Sequence, residues 1–277
     1  MFQCPGIPLR TGSQRKFTKI IRRLKPLPLR KSALINLDRI RYAIQEISDF
    51  TPTDGMIWAS IRSGTATTSQ RLTREFYWKC ILNTFCVGDF WEHIQNSEIF
   101  GHCQICNVTE TLEHIALECN APERTLIWDL TRQLWSQKYS QWPTLNWGLI
   151  LGCNLIRFKS GKGKLIPEKG RLFAILTSVA WHEIWRLRVE RVITSPGKVH
   201  SSPAIYNQWL KAINTSLSRD RILTDKLKFG NLSFNKQLVL NTWSGLLMNE
   251  DYLPDDWTYT KAVLVGMQPF TARKGIG

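Results

Sequence analysis

The sequence lacks long apolar runs, a recognisable leader segment and an even set of cysteines. No uncharged apolar stretch reaches the roughly 18 residues of a membrane-spanning helix. The first ten residues also lack the apolar segment of a signal peptide. The seven cysteines are odd in number, and three of them belong to a metal-ligand pattern described below. We therefore expect a nuclear or cytoplasmic protein that is neither secreted nor membrane-bound, with its other cysteines as free thiols.

The sequence also has few signs of catalysis. His182-Glu183 lacks the second histidine of a His-Glu-x-x-His metalloprotease motif, because Arg186 stands in that place. The Gly-Lys-Gly-Lys stretch at 161–164 does not fit a Gly-x4-Gly-Lys-Ser/Thr phosphate-binding loop. Scattered carboxylates are the only support for a small hydrolase. We therefore predict that the protein is not an enzyme.

Acidic residues are scarce near the start, where eleven lysines and arginines in residues 1–41 accompany one acid, Asp38. The whole chain carries a formal charge of +15. Such a concentration of cations is typical of proteins that bind the phosphate backbone, although a solvated terminus or a nuclear-import signal has the same composition.

A second basic group is interleaved with Phe76, Tyr77 and Trp78, which could stack on bases or belong to the core. The candidate nucleic-acid-binding residues are Arg15, Lys16, Lys19, Arg22, Arg23, Lys25, Arg30, Lys31, Arg71, Arg74 and Lys79.

The most specific pattern that is present is Cys-x2-Cys-x7-His-x4-Cys, formed by Cys103, Cys106, His114 and Cys119. A Cys-x2-Cys turn directs two thiolates to one point, and the other two ligands can come from a short helix and its end. Four protein ligands leave no open position for an activated water. The sequence therefore predicts a structural zinc site with zinc as the cofactor.

The geometry of this pattern makes a local prediction. Thr109 is a suitable N-cap for a helix over residues 110–118. At about 100° per residue, Cys119 would point away from His114 on a continuous helix, so the chain has to unwind at Cys119. Pro122, just beyond, makes that break plausible.

Strand-like alternation is also absent, whereas apolar residues recur at helical spacing along most of the chain. We predict an all-α fold, an irregular multi-helix bundle with an embedded CCHC zinc knuckle. The predicted parts are a basic N-terminal arm at 1–31, a helical segment at 32–100, the knuckle at 101–121, and a helical domain with an acidic-aromatic tail at 122–277. The predicted helices include 14–25, 32–48, 71–87, 122–138 and 168–193.

Three arginines at the end of the last of these helices, Arg186, Arg188 and Arg191, are expected to offset its dipole and to extend the basic surface. The other aromatic residues, including twelve tryptophans in all, are expected to form the core, with some at the surface.

Several short motifs appear in the order of one known family. They are Pro52-Thr53-Asp54, Ile57-Trp58, Arg62, Phe76-Tyr77-Trp78-Lys79, Val87-Gly88, Trp91, Ile94, the four metal-ligand positions, Thr109-Glu110-Thr111, Glu113-His114-Ile115, Ile127-Trp128 and Leu134-Trp135. Together they resemble the zinc-binding region at the C-terminal end of reverse transcriptases of LINE-like (non-LTR) retrotransposons, in loose order over residues 30–265. The resemblance implies that Cys103, Cys106, His114 and Cys119 are zinc ligands, in a region that grips element RNA or target DNA during target-primed reverse transcription.

The chain departs from that family in its catalytic parts. An aromatic-x-Asp-Asp polymerase signature is missing, because Asp255-Asp256 follows Leu253-Pro254. Residues 1–45 contain a single acid, whereas a ribonuclease H site needs several carboxylates around its metal ions. The sequence thus resembles a C-terminal piece without the catalytic domains.

Three interpretations follow from these observations. The first is a zinc-stabilised module that binds RNA or DNA through phosphate contacts, mostly without regard to sequence. The second is a zinc-folded protein-interaction scaffold whose Trp-rich surface meets a protein partner. The third is a non-functional remnant of an element.

Overall fold

The computed structural model describes residues 12–24, 29–62 and 71–267. Within these ranges the prediction of an all-α fold is confirmed, because the structure contains no sheet and only three isolated antiparallel bridges. The α-helices are α1 (Gln14–Leu24), α2 (Lys31–Ser48), α3 (Asp54–Arg62), α4 (Arg71–Leu82), α5 (Pro122–Ser136), α6 (Trp147–Leu151), α7 (Pro167–Val189), α8 (Ser202–Leu223), α9 (Lys226–Phe229) and α10 (Lys236–Trp243).

Shorter helical turns connect these elements. Two are π-helical, His114–Glu118 and Glu190–Thr194. The 3-10 turns are Gly88–Phe90, Glu98–Gly101, Cys153–Leu155, Gly230–Leu232, Glu250–Tyr252 and Trp257–Tyr259.

The longest helix, α7, is the centre of the molecule. It packs against α4, α5, α8 and α10, as well as against the π-helical turn at His114–Glu118. Apolar residues surround most of its circumference, and Leu172, Phe173, Leu176 and Trp181 are fully buried. The predicted central helix is therefore confirmed, and one apolar core runs from α2 to the last described residues.

A second packing unit is formed by α2 and the short helix α6. Gly148 in α6 lies so close to α2 that a Cβ atom there would stand 2.1 Å from the carbonyl oxygen of Arg39. The side chain of Asn36 joins these elements to α4, since it accepts a hydrogen bond from Trp147 Nε1 at 3.1 Å and donates to the carbonyl of Ile81 at 3.0 Å. Buried polar groups with such partners fix the relative position of three helices.

The helix predicted over 71–87 is shorter in the structure. It ends at Leu82, and Asn83 follows in the left-handed region with φ 49°. Asparagine tolerates this conformation, so it ends the helix before the predicted stop at Gly88.

The predicted Trp-rich surface is wrong in the structure. Seven of the twelve tryptophans are buried and four are partly buried. Trp78 is the one that is largely exposed, at 48%. Indole rings form the centre of the core because each removes a large apolar area from water.

No helix in the described ranges is long and apolar enough to cross a bilayer.

Candidate metal centre

The first two cysteines lie in a tight turn. The bridge between His102 and Thr109 closes a short hairpin, in which the amide of Cys103 donates to the carbonyl of Val108 at 2.8 Å. The amide of Asn107 donates to the carbonyl of Cys103 at 2.7 Å, and Asn107 has φ 55°. This turn directs the thiols of Cys103 and Cys106 to the same side.

The other two candidate ligands lie at the ends of a π-helical turn. The predicted N-cap at Thr109 is wrong, because Thr111 Oγ1 accepts from the amide of His114 at 3.0 Å and the helical residues begin after it. The amide of Cys119 donates to the carbonyl of His114 at 2.8 Å, which is the wide i→i+5 bond of a π-helix. The wider turn brings Cys119 back over His114.

The chain leaves helical geometry at Cys119, where φ is −58° and ψ is 136°. The predicted break at this residue is therefore confirmed. A regular α-helix would have turned the thiol of Cys119 away from the imidazole, so the π turn and the break together assemble the cluster.

One ligand atom from each of Cys103, Cys106, His114 and Cys119 lies within 4.8 Å of the other three. The Sγ atom of Cys119 is 3.6 Å from that of Cys103 and 3.9 Å from that of Cys106. A tetrahedral site with metal–sulfur bonds of about 2.3 Å requires sulfur atoms roughly 3.8 Å apart. The four side chains are thus close enough to hold a metal ion.

The imidazole of His114 shows the most specific fit. Its Nε2 atom is buried and has no hydrogen-bond partner, whereas Nδ1 lies 3.5 Å from Glu118 Oε2. Buried polar atoms are nearly always paired, so an orphaned ring nitrogen in a histidine that belongs to this cluster suits a metal ligand. A carboxylate on the other nitrogen is the usual means of fixing the orientation of such a ring.

The thiols differ in their electrostatic surroundings. The amide of Asn120 donates to Cys106 Sγ at 3.3 Å, and this hydrogen bond lowers the pKa of Cys106. Burial raises the pKa of Cys119 to about 12. A positive charge beside Cys119, such as a bound metal ion, would favour its thiolate over the thiol.

Buried ion pairs join the residues next to the cluster to α7 and to the π-helical turn that follows it. Arg188 contacts both carboxylate oxygens of Glu110, and each of these side chains is only 3% exposed. Arg191 Nε lies 2.9 Å from Glu123 Oε1, also largely buried. The expectation that these two arginines extend the basic surface is therefore wrong, because burial leaves them facing carboxylates. No local sequence pattern indicates ion pairs between residues that are 78 and 68 positions apart.

Helix α5 is joined to the same cluster. The fully buried Trp128 donates from Nε1 to the carbonyl of Ala116 at 2.7 Å. Arg124 donates to the carbonyls of Leu117 and Cys119, which have no helical partner at the end of the π turn. Helix α5 starts at Pro122 as predicted, directly after the last candidate ligand.

The candidate nucleic-acid residues do not form one cluster around the metal centre. Arg15, Lys16 and Lys19 are exposed on α1 and lie within about 100° of its circumference, whereas Phe17 and Ile20 are partly buried. The others on this part of the chain are Arg22 and Arg23 in α1, Lys25 outside the described residues, and the exposed Arg30 and Lys31 at the start of α2.

Helix α4 contains the remaining candidates. Lys79 is exposed, Arg71 begins the helix, and Arg74 is half-buried, with Nη1 3.4 Å from the carbonyl of Arg62. Phe76 and Tyr77, which could have stacked on bases, are only 6% and 2% exposed. The alternative expectation, that these two rings belong to the core, is therefore confirmed.

Comparisons with known protein families, with curated proteins and with solved structures found no match to this chain.

Proposed function

We propose that the chain is a zinc-stabilised nucleic-acid-binding module and that it corresponds to the C-terminal part of a LINE-like retrotransposon reverse transcriptase without the catalytic domains. The observation that supports it most is the cluster of three thiols with the imidazole of His114, a ring whose Nε2 atom is buried and unpartnered. Three thiolates and one imidazole are a ligand set that suits zinc.

The proposed metal has a structural role. It would be held by Cys103, Cys106, His114 and Cys119, and zinc supplies there a fourfold cross-link with no open position for substrate. The residues around it hold the hairpin, the π turn and the start of α5 together. The folded region around the metal would support the basic N-terminal arm while the arm contacts a ligand, and the metal itself would not take part in catalysis.

The proposal of nucleic-acid binding is supported by the charge of α1 and its surroundings. Arg15, Lys16 and Lys19 lie exposed along one face of the helix, so their charges can approach the same phosphate backbone. Elsewhere in the described residues, the acidic side chains of Glu110 and Glu123 are buried against arginines and add little negative charge to the surface.

A salt titration tests this proposal. Replacing Arg15, Lys16 and Lys19 by glutamine should lower the slope of log K against log salt by about 3 on duplex DNA, close to one unit for each lost phosphate contact. A matched variant replaces three exposed lysines elsewhere, Lys211, Lys226 and Lys228. Its slope should stay within about half a unit of the unmodified protein.

Fluorescence anisotropy on labelled single- and double-stranded RNA and DNA is the measurement. Weak binding that does not change between low and high salt would contradict nucleic-acid binding. If the salt slope falls by the same amount in both triple variants, the affinity depends on overall charge, and the proposed role of α1 is wrong.

A protein-interaction scaffold is the second candidate. Apolar side chains are exposed on the segment that carries the first two cysteines, among them Phe90 at 49%, Ile99 at 64% and Val108 at 44%. Exposed apolar residues near one another can mark a contact with another protein. Weak, salt-insensitive binding of nucleic acid in the titration above, together with a pull-down that survives nuclease treatment, would favour this candidate.

A further inference from the structure

The Gly-Lys-Gly-Lys stretch, which does not fit a nucleotide-binding loop, lies at the tip of a short β-hairpin. Lys159 and Leu165 pair in an antiparallel bridge. Beyond them, the amide of Ser160 donates to the carbonyl of Lys164 at 2.8 Å. The amide of Gly163 donates to the carbonyl of Ser160 at 2.8 Å, and Gly163 has φ 76°. A three-residue loop that ends in a left-handed glycine is a common way to close a hairpin, so the tip is a defined turn.

This hairpin, residues 157–166, has a fixed base and a free tip. The ring of Phe158 lies 5.9 Å from the rings of both Trp135 and Phe173, measured between centroids, so the base is packed against the core. The four residues of the tip are exposed. An added Cβ atom on either glycine of the tip would meet no described atom within 4 Å. A large ligand can therefore approach the tip without displacing other parts of the protein.

The hairpin is strongly cationic. It contains four exposed cations, Arg157, Lys159, Lys162 and Lys164. No acidic residue occurs in the sequence from position 130 to position 167. Among the ion pairs of the described residues, the hairpin takes part in one, between Lys159 and Asp49 at 3.6 Å, and the side chain of Asp49 is 90% exposed. Because water screens such a pair, the hairpin presents a concentrated positive charge.

Backbone donors accompany these charges at the tip. The amides of Gly161 and Lys162 have no hydrogen-bond partner among the described residues. Successive free amides in a turn can bind an anion, and a glycine lets that anion come close to the backbone. An oxygen of a phosphate group could accept from these amides while a neighbouring lysine contacts the same group.

The hairpin is separate from the basic arm. The amide of Arg157 donates to Ser48 Oγ at 2.9 Å, and the guanidinium carbon of Arg157 lies 3.8 Å from the centroid of the Phe50 ring. These contacts are at the end of α2, whereas the exposed Arg30 and Lys31 are at its start. At 1.5 Å per residue, α2 separates the two cationic surfaces by roughly 26 Å.

We propose that this hairpin is a second surface that contacts the phosphate backbone of a nucleic acid. The proposal rests on the nucleic-acid binding proposed above and adds to it a site outside the arm and α4. Lys159, Lys162 and Lys164 supply the charges, and the free amides of the tip supply hydrogen bonds. The contact does not depend on base sequence, because these donors bind phosphate oxygens that every sequence presents.

A triple variant of the full chain tests the proposal, Lys159→Gln, Lys162→Gln and Lys164→Gln. The measurement is the salt dependence of its affinity for labelled duplex DNA, by fluorescence anisotropy. We expect the slope of log K against log salt to fall by about 2 to 3, because each lost phosphate contact removes about 0.9. The substituted residues are exposed, so the variant should keep the circular dichroism spectrum of the unmodified protein.

Lysine acetylation, measured by mass spectrometry, provides a second test that needs no variant. Saturating duplex DNA should slow the acetylation of the three hairpin lysines, because a bound phosphate backbone covers their ammonium groups. The acetylation rate with and without DNA should be the same for three exposed control lysines, Lys211, Lys226 and Lys228. The triple variant of these control lysines, described above, is also the control for the salt titration.

The possible outcomes separate this proposal from the proposed function. If the unmodified protein binds DNA with a steep salt dependence and the hairpin variant has the same slope as the control variant, the hairpin proposal is wrong and nucleic-acid binding stands. Hairpin lysines that bound DNA does not protect would also overturn it. Weak, salt-insensitive binding by the unmodified protein would overturn both proposals.

Discussion

His114 is the residue on which the metal-ligand hypothesis can be tested most directly. Its side chain lies in the cluster with three thiols and its Nε2 atom is buried without a partner, so His114→Ala removes one of four candidate ligands. We expect less than one bound zinc per chain by atomic absorption. We also expect a loss of about 4 kcal/mol or more in unfolding free energy, typical of the loss of a metal site.

His93→Ala is the control for this variant. His93 is exposed and lies on the same part of the chain, outside the ligand cluster. It should keep both the metal content and the melting temperature. A His114→Ala protein that retains one tightly bound zinc would contradict the role of the imidazole.

The buried pair of Glu110 and Arg188 should contribute in a different way. Arg188→Met leaves the carboxylate of Glu110 buried without its partner, which costs about 3–5 kcal/mol. Replacing both residues by apolar ones should recover much of that loss. Urea denaturation of both single variants and the double variant measures the coupling.

An exposed ion pair provides the comparison. Arg132 and Asp129 lie 2.7 Å apart, with both side chains more than half exposed. Arg132→Met should cost at most about 1 kcal/mol, because water screens such a pair. Equal effects at Arg188 and Arg132 would show that the buried pair does not anchor the cluster.

The sequence allowed the ligand positions to be predicted but not the residues that hold them. The spacing of Cys103, Cys106, His114 and Cys119 is local, and the four side chains do come together. The role of Arg188 depends on a carboxylate 78 residues away, which no local pattern indicates. Its position at a helix end instead favoured the wrong prediction of a surface cation.

Among the helices, the contact of α2 with α6 makes a separate prediction. Gly148→Ala places a Cβ atom 2.1 Å from the carbonyl oxygen of Arg39, and backbone cannot move aside as a side chain can. We expect α6 to shift and the protein to lose about 1–3 kcal/mol or more. Thermal unfolding followed by far-ultraviolet circular dichroism is the measurement.

Gly161→Ala is the matched glycine control. An added Cβ at Gly161 meets nothing within 4 Å, so this variant should change stability by less than about 0.5 kcal/mol. A Gly148→Ala protein as stable as this control would mean that α2 and α6 are not held as closely as described.

Helices were predictable where local sequence fixes them. Pro122 and Pro167 lie in the first turn of α5 and α7, and both helices begin close to the predicted positions.

The ends of shorter elements were not predictable. Thr109 and Thr111 are equally good caps by residue type, and the choice between them depends on the hairpin that includes Thr109. The π turn likewise has no sequence signature.

For the whole molecule, one apolar core includes residues from both sides of the metal-ligand segment. Leu112, Ile115 and Ala116 belong to this core, and Trp128 binds the π turn from within it. Helix periodicity indicates that these helices have apolar faces, but it does not say which faces meet. That arrangement decides whether loss of the metal is a local or a global event.

We expect the loss of metal to weaken the entire fold, because the ligand segment is part of the common core. Excess EDTA should lower the melting temperature by about 10 °C, the shift that several kcal/mol produces in a domain of this size. Tryptophan fluorescence and a metal-release dye should report the same transition, since the metal, the π turn and Trp128 are directly connected. EDTA saturated with zinc beforehand is the control and should have no effect. Metal release well below a later, unchanged tryptophan transition would show instead that the segment unfolds alone and that the core is stable without it.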